Sequence, residues 1–165
     1  MKTLILYLLE LKSRGLISNY ALGGATALIY YFEPFQTQDI DVFIVLENDS
    51  TPLVNLAPIY SFLTEKGVET AGEYLIIDGV PVQFLVPYNP LVEEAVSRSI
   101  AVSFFDVEVQ IPTIEYLMAI MLQTNRKKDL ARLGELFEQP ELFEMSLLEE
   151  IVSRFNLDER LAKIL

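Results

Sequence analysis

The sequence predicts an α+β (α/β) fold, a mixed sheet flanked by helices over residues 1–112 with a C-terminal helical region, 113–165, packed on it as a cap. Three observations predict it. Strand-like and helix-like segments alternate up to residue 112, two apolar strands flank the hairpin dipeptide Asp78-Gly79, and the pattern from Thr113 onward is helical throughout. The chain of 165 residues, 52% hydrophobic, is long enough to bury the core of one domain or of one domain with a small helical appendage.

The elements follow in order. "MKTLILYLLELKSRGLI" is apolar at its start, but Glu10, Lys12 and Arg14 break the run well short of the roughly 20 residues that span a bilayer, so it reads as an amphipathic, largely buried first helix. "YALGG" is a short strand closing in a turn, and "ATALIYYFE" is a helix ended by Pro34. In the strand "DIDVFIVLE", period two puts Ile40, Val42, Ile44 and Leu46 on one face and Asp39, Asp41 and Phe43 on the other. "NDSTP" is a loop, and "LVNLAPIYSFLTEKG" is a helix that tolerates Pro58. Asp78-Gly79 favours a tight turn between "YLII" and "VPVQFLV". "PLVEEAVSRS" starts a helix at Pro90, and "IAVSFFDVEVQIP" holds one or two more strands. The tail reads as "TIEYLMAIMLQTN", "RKKDLARLGELFE" and two further short amphipathic helices.

Composition excludes several chemistries. A formal charge of −12 argues against a bulk grip on DNA or RNA phosphates, and the one local basic stretch is "NRKKDLAR". Without cysteine or histidine the chain has no disulfide framework, no Ser-His or Cys-His machinery and no ordinary zinc site. Catalysis would have to come from carboxylates, hydroxyls, amides and Lys or Arg. With no spanning segment or cleavage pattern in the sequence, the expected location is cytoplasmic, without a membrane partner.

One constellation carries chemistry. Asp39 and Asp41, two residues apart on a strand, project from the same face roughly 6–7 Å apart, a spacing that lets two carboxylates share hard divalent cations. Such cations can activate an attacking oxygen and stabilise a leaving pyrophosphate. Gly23-Gly24 ends the preceding strand and opens a helix, where paired glycines let backbone approach a phosphate and free amides, with Thr26 nearby, favour an anion. The sequence predicts both features in one cleft.

With that spacing, "LGGATALIYYFEPFQTQDIDVFIVL" resembles the signature of the nucleotidyltransferase (polymerase-beta-like) superfamily: a glycine pair, a helix, then Asp-x-Asp on the next strand, preceded by a threonine such as Thr37. "IPTIEYLMAIMLQTNRKKDLARL" is similar to the helical region of its minimal bacterial members, which include AbiE-type toxin–antitoxin and phage-defence components. The resemblance covers most of residues 18–135 and is strongest over 22–46. It implies magnesium held by Asp39 and Asp41, a nucleoside triphosphate seated by Gly23, Gly24, Thr26 and Lys128, Thr37 bracing the loop before the strand, and transfer of a nucleoside monophosphate to an acceptor hydroxyl on a small molecule, a protein or tRNA. The sequence departs from the family at three places. Gln83 stands where relatives carry a third carboxylate, Phe35 where they often carry arginine, and Arg132 where a second helical acid follows Asp129.

Blander readings stand beside these. Asp39 and Asp41 could be solvated acids on an edge strand, and Gly23-Gly24 a plain turn. Arg126, Lys127 and Lys128 could neutralise triphosphate charge, although such a cluster reads more simply as a solvated helix face. Leu117, Met118, Met121 and Leu122 read as core, and Tyr30, Tyr31 and Phe32 as core or rim aromatics. The departures favour a degenerate member serving as a nucleotide-binding or antitoxin-like interaction module. A further alternative is an acidic oligomerisation module.

Overall fold

A computed structural model describes residues 1–32, 37–47, 55–104 and 106–165 of the chain. Helix α1 (Lys2–Ser13) leads into β1 (Ile17–Leu22), α2 (Gly24–Tyr31), β2 (Ile40–Leu46), α3 (Ala57–Glu65), β3 (Glu69–Ala71), β4 (Tyr74–Ile77) and β5 (Val80–Leu85). Helix α4 (Pro90–Ser97) precedes the ribbon of β6 (Ile100–Phe104) and β7 (Val107–Ile111), and α5 (Ile114–Thr124), α6 (Lys127–Phe137), α7 (Met145–Arg154) and α8 (Asp158–Leu161) close the chain.

The main sheet runs β1-β2-β5-β4-β3, antiparallel except for the parallel β2–β5 pair, and β6–β7 forms a separate two-stranded sheet. Strand β2 is therefore internal and is covered on both faces. Its even residues Val42 and Ile44 join the large core with Leu4, Leu8 and Leu11 of α1 and Phe62 and Leu63 of α3. On the other face, Phe43 packs with Ala21 of β1 and with Val92 and Val96 of α4. The edge-strand reading of Asp39 and Asp41 fails on this topology, because strands flank β2 on both sides.

Local chemistry explains the boundaries. Asp78 and Gly79 both adopt positive φ (51° and 77°), the conformation a two-residue hairpin needs between β4 and β5. The third strand of that meander, β3, was not anticipated, since its three residues are exposed and lack apolar alternation. Helix α3 begins at Ala57, so Pro58 sits in the first turn, where a missing amide costs no helical hydrogen bond. The Asn89 side chain caps α4 by accepting from the Val92 amide at 3.0 Å.

The C-terminal helices share the large core through Leu117, Leu122, Leu133, Leu136, Leu148 and Ile151. The buried Glu115 carboxylate accepts from the Glu144 amide (3.0 Å) at the start of α7, and Arg160 reaches the Leu122 carbonyl (2.9 Å) at the end of α5. Pro34 and the "NDSTP" loop lie outside the described residues, as does Phe35. Among the described residues no helix is long and apolar enough to cross a membrane.

Candidate functional site

The chain leaves β1 at Leu22 and turns into α2 through the two glycines. The Gly23 amide donates to the Asp41 carbonyl at 2.8 Å, which fixes the turn to the neighbouring strand. A Cβ on Gly23 would lie 2.5 Å from the Phe43 ring. At Gly24 the demand is twofold: φ is +53°, and a Cβ would lie 2.2 Å from Asp41 Oδ2. These glycines are thus more than a bare turn, because they let the Asp41 carboxylate lie against the first turn of α2. The Gly23 amide is committed to Asp41, whereas the amides of Gly24 and Ala25 open the helix and have no carbonyl one turn earlier to bond.

Asp41 is half-buried and Asp39 precedes β2 by one residue. Burial pushes the Asp41 carboxyl above its usual range, the Asp39 charge pushes the same way, and Lys128 and Arg126 oppose both. The Thr37 hydroxyl donates to the Asp39 backbone carbonyl at 2.8 Å and lies 3.4 Å from its Oδ1.

Asp41 and Gln83 are register partners across the parallel β2–β5 pair, so Gln83 sits beside the acidic strand. Both line a cleft of about 300 Å³, at the small end of the range for ligand pockets. Its floor is apolar: Leu28 of α2, Phe43 and Leu85 of the sheet, and Leu117, Ile120 and Met121 of α5. The rest of the rim is formed by Tyr88, Thr124, Arg126, Asp129 and Arg132, and Asp39 does not line the cleft.

The sequence leaves Arg126 between a phosphate-neutralising role and a solvated helix face, and does not reveal the partners that set it on this rim, Asp129 and Thr124. Asn125 ends α5 in the left-handed conformation (φ 53°), and the chain turns so that Arg126 faces the cleft instead of continuing the solvated face. Asp129, only 1% exposed, holds it: Arg126 Nε donates to Oδ2 at 2.6 Å and Nη2 to Oδ1 at 3.2 Å, while the Thr124 hydroxyl donates to Oδ2 at 2.7 Å. Burial alone would raise the Asp129 carboxyl, but these bonds hold it below its usual range. The cue in the sequence was an acid three residues after an arginine across a helix start, which is too common to single out.

The other predicted site residues are spread out. Lys127 and Lys128 are exposed, and Lys128 acts on Asp41 only through its charge. Thr26 is buried in α2, its hydroxyl makes no hydrogen bond, and it does not line the cleft. Asp78 lies at the β4–β5 turn, whereas Gln83 registers near the opposite end of that hairpin, so Asp78 does not supply a carboxylate beside Asp41. Among the described residues no three acidic groups converge closely enough to hold a metal by themselves.

The mixed sheet flanked by helices makes this a nucleotidyltransferase-like α+β fold. In structure the chain is similar to an antigenic nucleotidyltransferase-like protein from Paracoccidioides brasiliensis, with 15% identity over 97% of this chain and 91% of that one and a TM-score of 0.54. It also aligns with a candidate nucleotidyltransferase from Thermotoga maritima at 17% identity, over 73% of this chain and 83% of that one, with a TM-score of 0.45. No family model matches the sequence, and no curated protein sequence matches it.

Proposed function

We propose that the cleft binds a nucleoside triphosphate together with magnesium and transfers its nucleoside monophosphate to an acceptor hydroxyl, with pyrophosphate leaving. The observation that carries this reading is the seating of Asp41: Gly24 is excluded from bearing a side chain by the Asp41 carboxylate itself, and both line the cleft that Arg126 rims. The donor set fits the ion. Magnesium takes hard oxygens in octahedral geometry and is usually held by one or two carboxylates plus substrate phosphates, so Asp39 and Asp41 suffice without a third acid. Bound there, it would supply charge neutralisation for the polyphosphate and an activated acceptor oxygen.

The chain's own residues do the rest. The amides of Gly24 and Ala25 at the start of α2 receive phosphate oxygens, with Gly23 holding the turn against β2. Thr37 braces Asp39. Arg126, forked onto Asp129, offers its remaining N–H groups to phosphate from the rim, and Lys128 adds long-range positive potential. The apolar floor excludes water and receives the nucleoside.

One observation favours a second reading, a fold retained for nucleotide binding or for an antitoxin-like partner without transfer. Gln83 beside Asp41 cannot act as a base toward the acceptor hydroxyl. Calorimetric titration with each of the four ribonucleoside triphosphates, with and without magnesium, tests the site shared by both readings. Magnesium-dependent binding lost in Asp39→Asn and Asp41→Asn supports it, while no binding by any nucleotide sinks transfer and nucleotide binding alike and leaves the partner role. Release of labelled pyrophosphate, or label transfer to an acceptor, separates transfer from mere binding.

A further inference from the structure

Gln83 differs from a carboxylate in charge and also in having two unlike ends. A carboxylate presents only acceptors, while a primary amide presents an oxygen at one end and a two-donor nitrogen at the other. Beside Asp41 that difference matters, because an amide nitrogen turned toward the carboxylate would bond to it and occupy the lone pairs a cation needs.

The structure engages the nitrogen end elsewhere. Gln83 Nε2 donates to Glu73 Oε2 at 2.7 Å. Glu73 belongs to the Gly72-Glu73 turn that joins β3 to β4, where Gly72 takes φ +64°. That turn is held from α3, since the Tyr60 hydroxyl donates to the Glu73 carbonyl at 3.0 Å. One short hairpin turn, itself held from α3, therefore grips Gln83.

We propose that Glu73 is a positioning residue: it holds the Gln83 amide by its nitrogen, so that the end left for the cleft is the oxygen and the sheet wall presents only oxygen acceptors to a cation-bound polyphosphate. This rests on the nucleotide reading above and names how that site works without a third carboxylate. In the absence of Glu73 the amide turns its NH2 toward Asp41 and competes with the cation.

The test combines binding with a direct view of the amide. Side-chain 15N NMR of the magnesium-free protein, with Gln83 assigned by its loss in Gln83→Asp, should show the Gln83 NH2 resonance shift in Glu73→Ala. Titration with ATP, GTP, CTP and UTP should show magnesium-dependent affinity falling about tenfold in Glu73→Ala, the size typical of a lost partner to a metal ligand. Magnesium-free binding should stay unchanged. Glu73→Gln, which keeps an acceptor oxygen for Nε2, should bind close to wild type. Glu73→Ala/Gln83→Asp should recover affinity, because a carboxylate has no donor end to misplace. Glu73 is exposed, so none of these changes threatens the fold. An unshifted resonance, wild-type affinity in Glu73→Ala, or a double variant no better than the single one would overturn the proposal. If Asp41→Asn abolishes binding while Glu73→Ala does not alter it, this inference alone falls. If the wild type binds no nucleotide, the reading of the site falls and takes this inference with it.

Discussion

The two walls of the cleft are built on opposite principles. The sheet wall places like charges side by side: Asp41 is half-buried near Asp39, and its carboxyl is pushed up by burial and by that neighbour. The α5–α6 wall places opposite charges in contact: Asp129 is almost fully buried, yet it is satisfied by Arg126 and Thr124 and is held below its usual range. One wall is strained without a ligand and the other is complete without one. The comparison teaches where a cation and an anion would each be welcome. The sheet wall gains from a cation, and the helix wall offers a preset cation to an anion.

Breaking the sheet wall should have the largest effect. Asp41→Asn is expected to lower magnesium-dependent nucleotide affinity at least about 100-fold by removing a charged ligand. The same change should raise the melting temperature of the ligand-free protein by about 1–3 °C. The sign follows from the raised folded value: ionised Asp41 destabilises the fold, so the variant's advantage is complete above that value. It fades as pH falls toward the unfolded value of about 3.9. Thermal melts across pH check it, and a variant less stable than wild type at neutral pH would contradict the strain.

Gly24→Ala is next. It forces a Cβ toward Asp41 Oδ2 in a left-handed backbone, and is expected to cost about 1–2 kcal/mol and to displace the carboxylate. Denaturant unfolding and nucleotide titration measure the two parts. On the helix wall, Asp129→Ala should cost about 1–3 kcal/mol by unpairing Thr124 and releasing Arg126. Because the folded Asp129 value is depressed, the stability it contributes is present above about pH 3.9 and is lost as pH falls through the folded value. The gap between wild type and Asp129→Asn should therefore narrow in acid, which pH-dependent melts would show. Lys127→Ala, an exposed control on the same helix, should change stability by less than about 0.5 kcal/mol.

The two walls were also unequally legible in the sequence. The sheet wall could be read because its signals are local: the glycine pair, the Asp-Ile-Asp alternation and the Asp78-Gly79 turn each act within a few residues. The order of strands was not readable, and it is what makes β2 internal and sets Gln83 beside Asp41. The partnership of Glu73 with Gln83 was hidden for the same reason, since it depends on β3, a strand too short and too exposed to show a period. On the helix wall, Arg126 and its lysine neighbours look alike in sequence. Only the left-handed Asn125 and the buried Asp129 turn the arginine toward the cleft and leave the lysines outside.

The most direct test of one nucleotide site between these walls is a crystal structure of the protein with a non-hydrolysable nucleoside triphosphate analogue and manganese, using anomalous scattering to locate the ion. The account predicts a manganese peak on the Asp39 and Asp41 carboxylates, with phosphates between it and Arg126. A peak elsewhere, or a cleft left empty at saturating analogue and manganese, would contradict it.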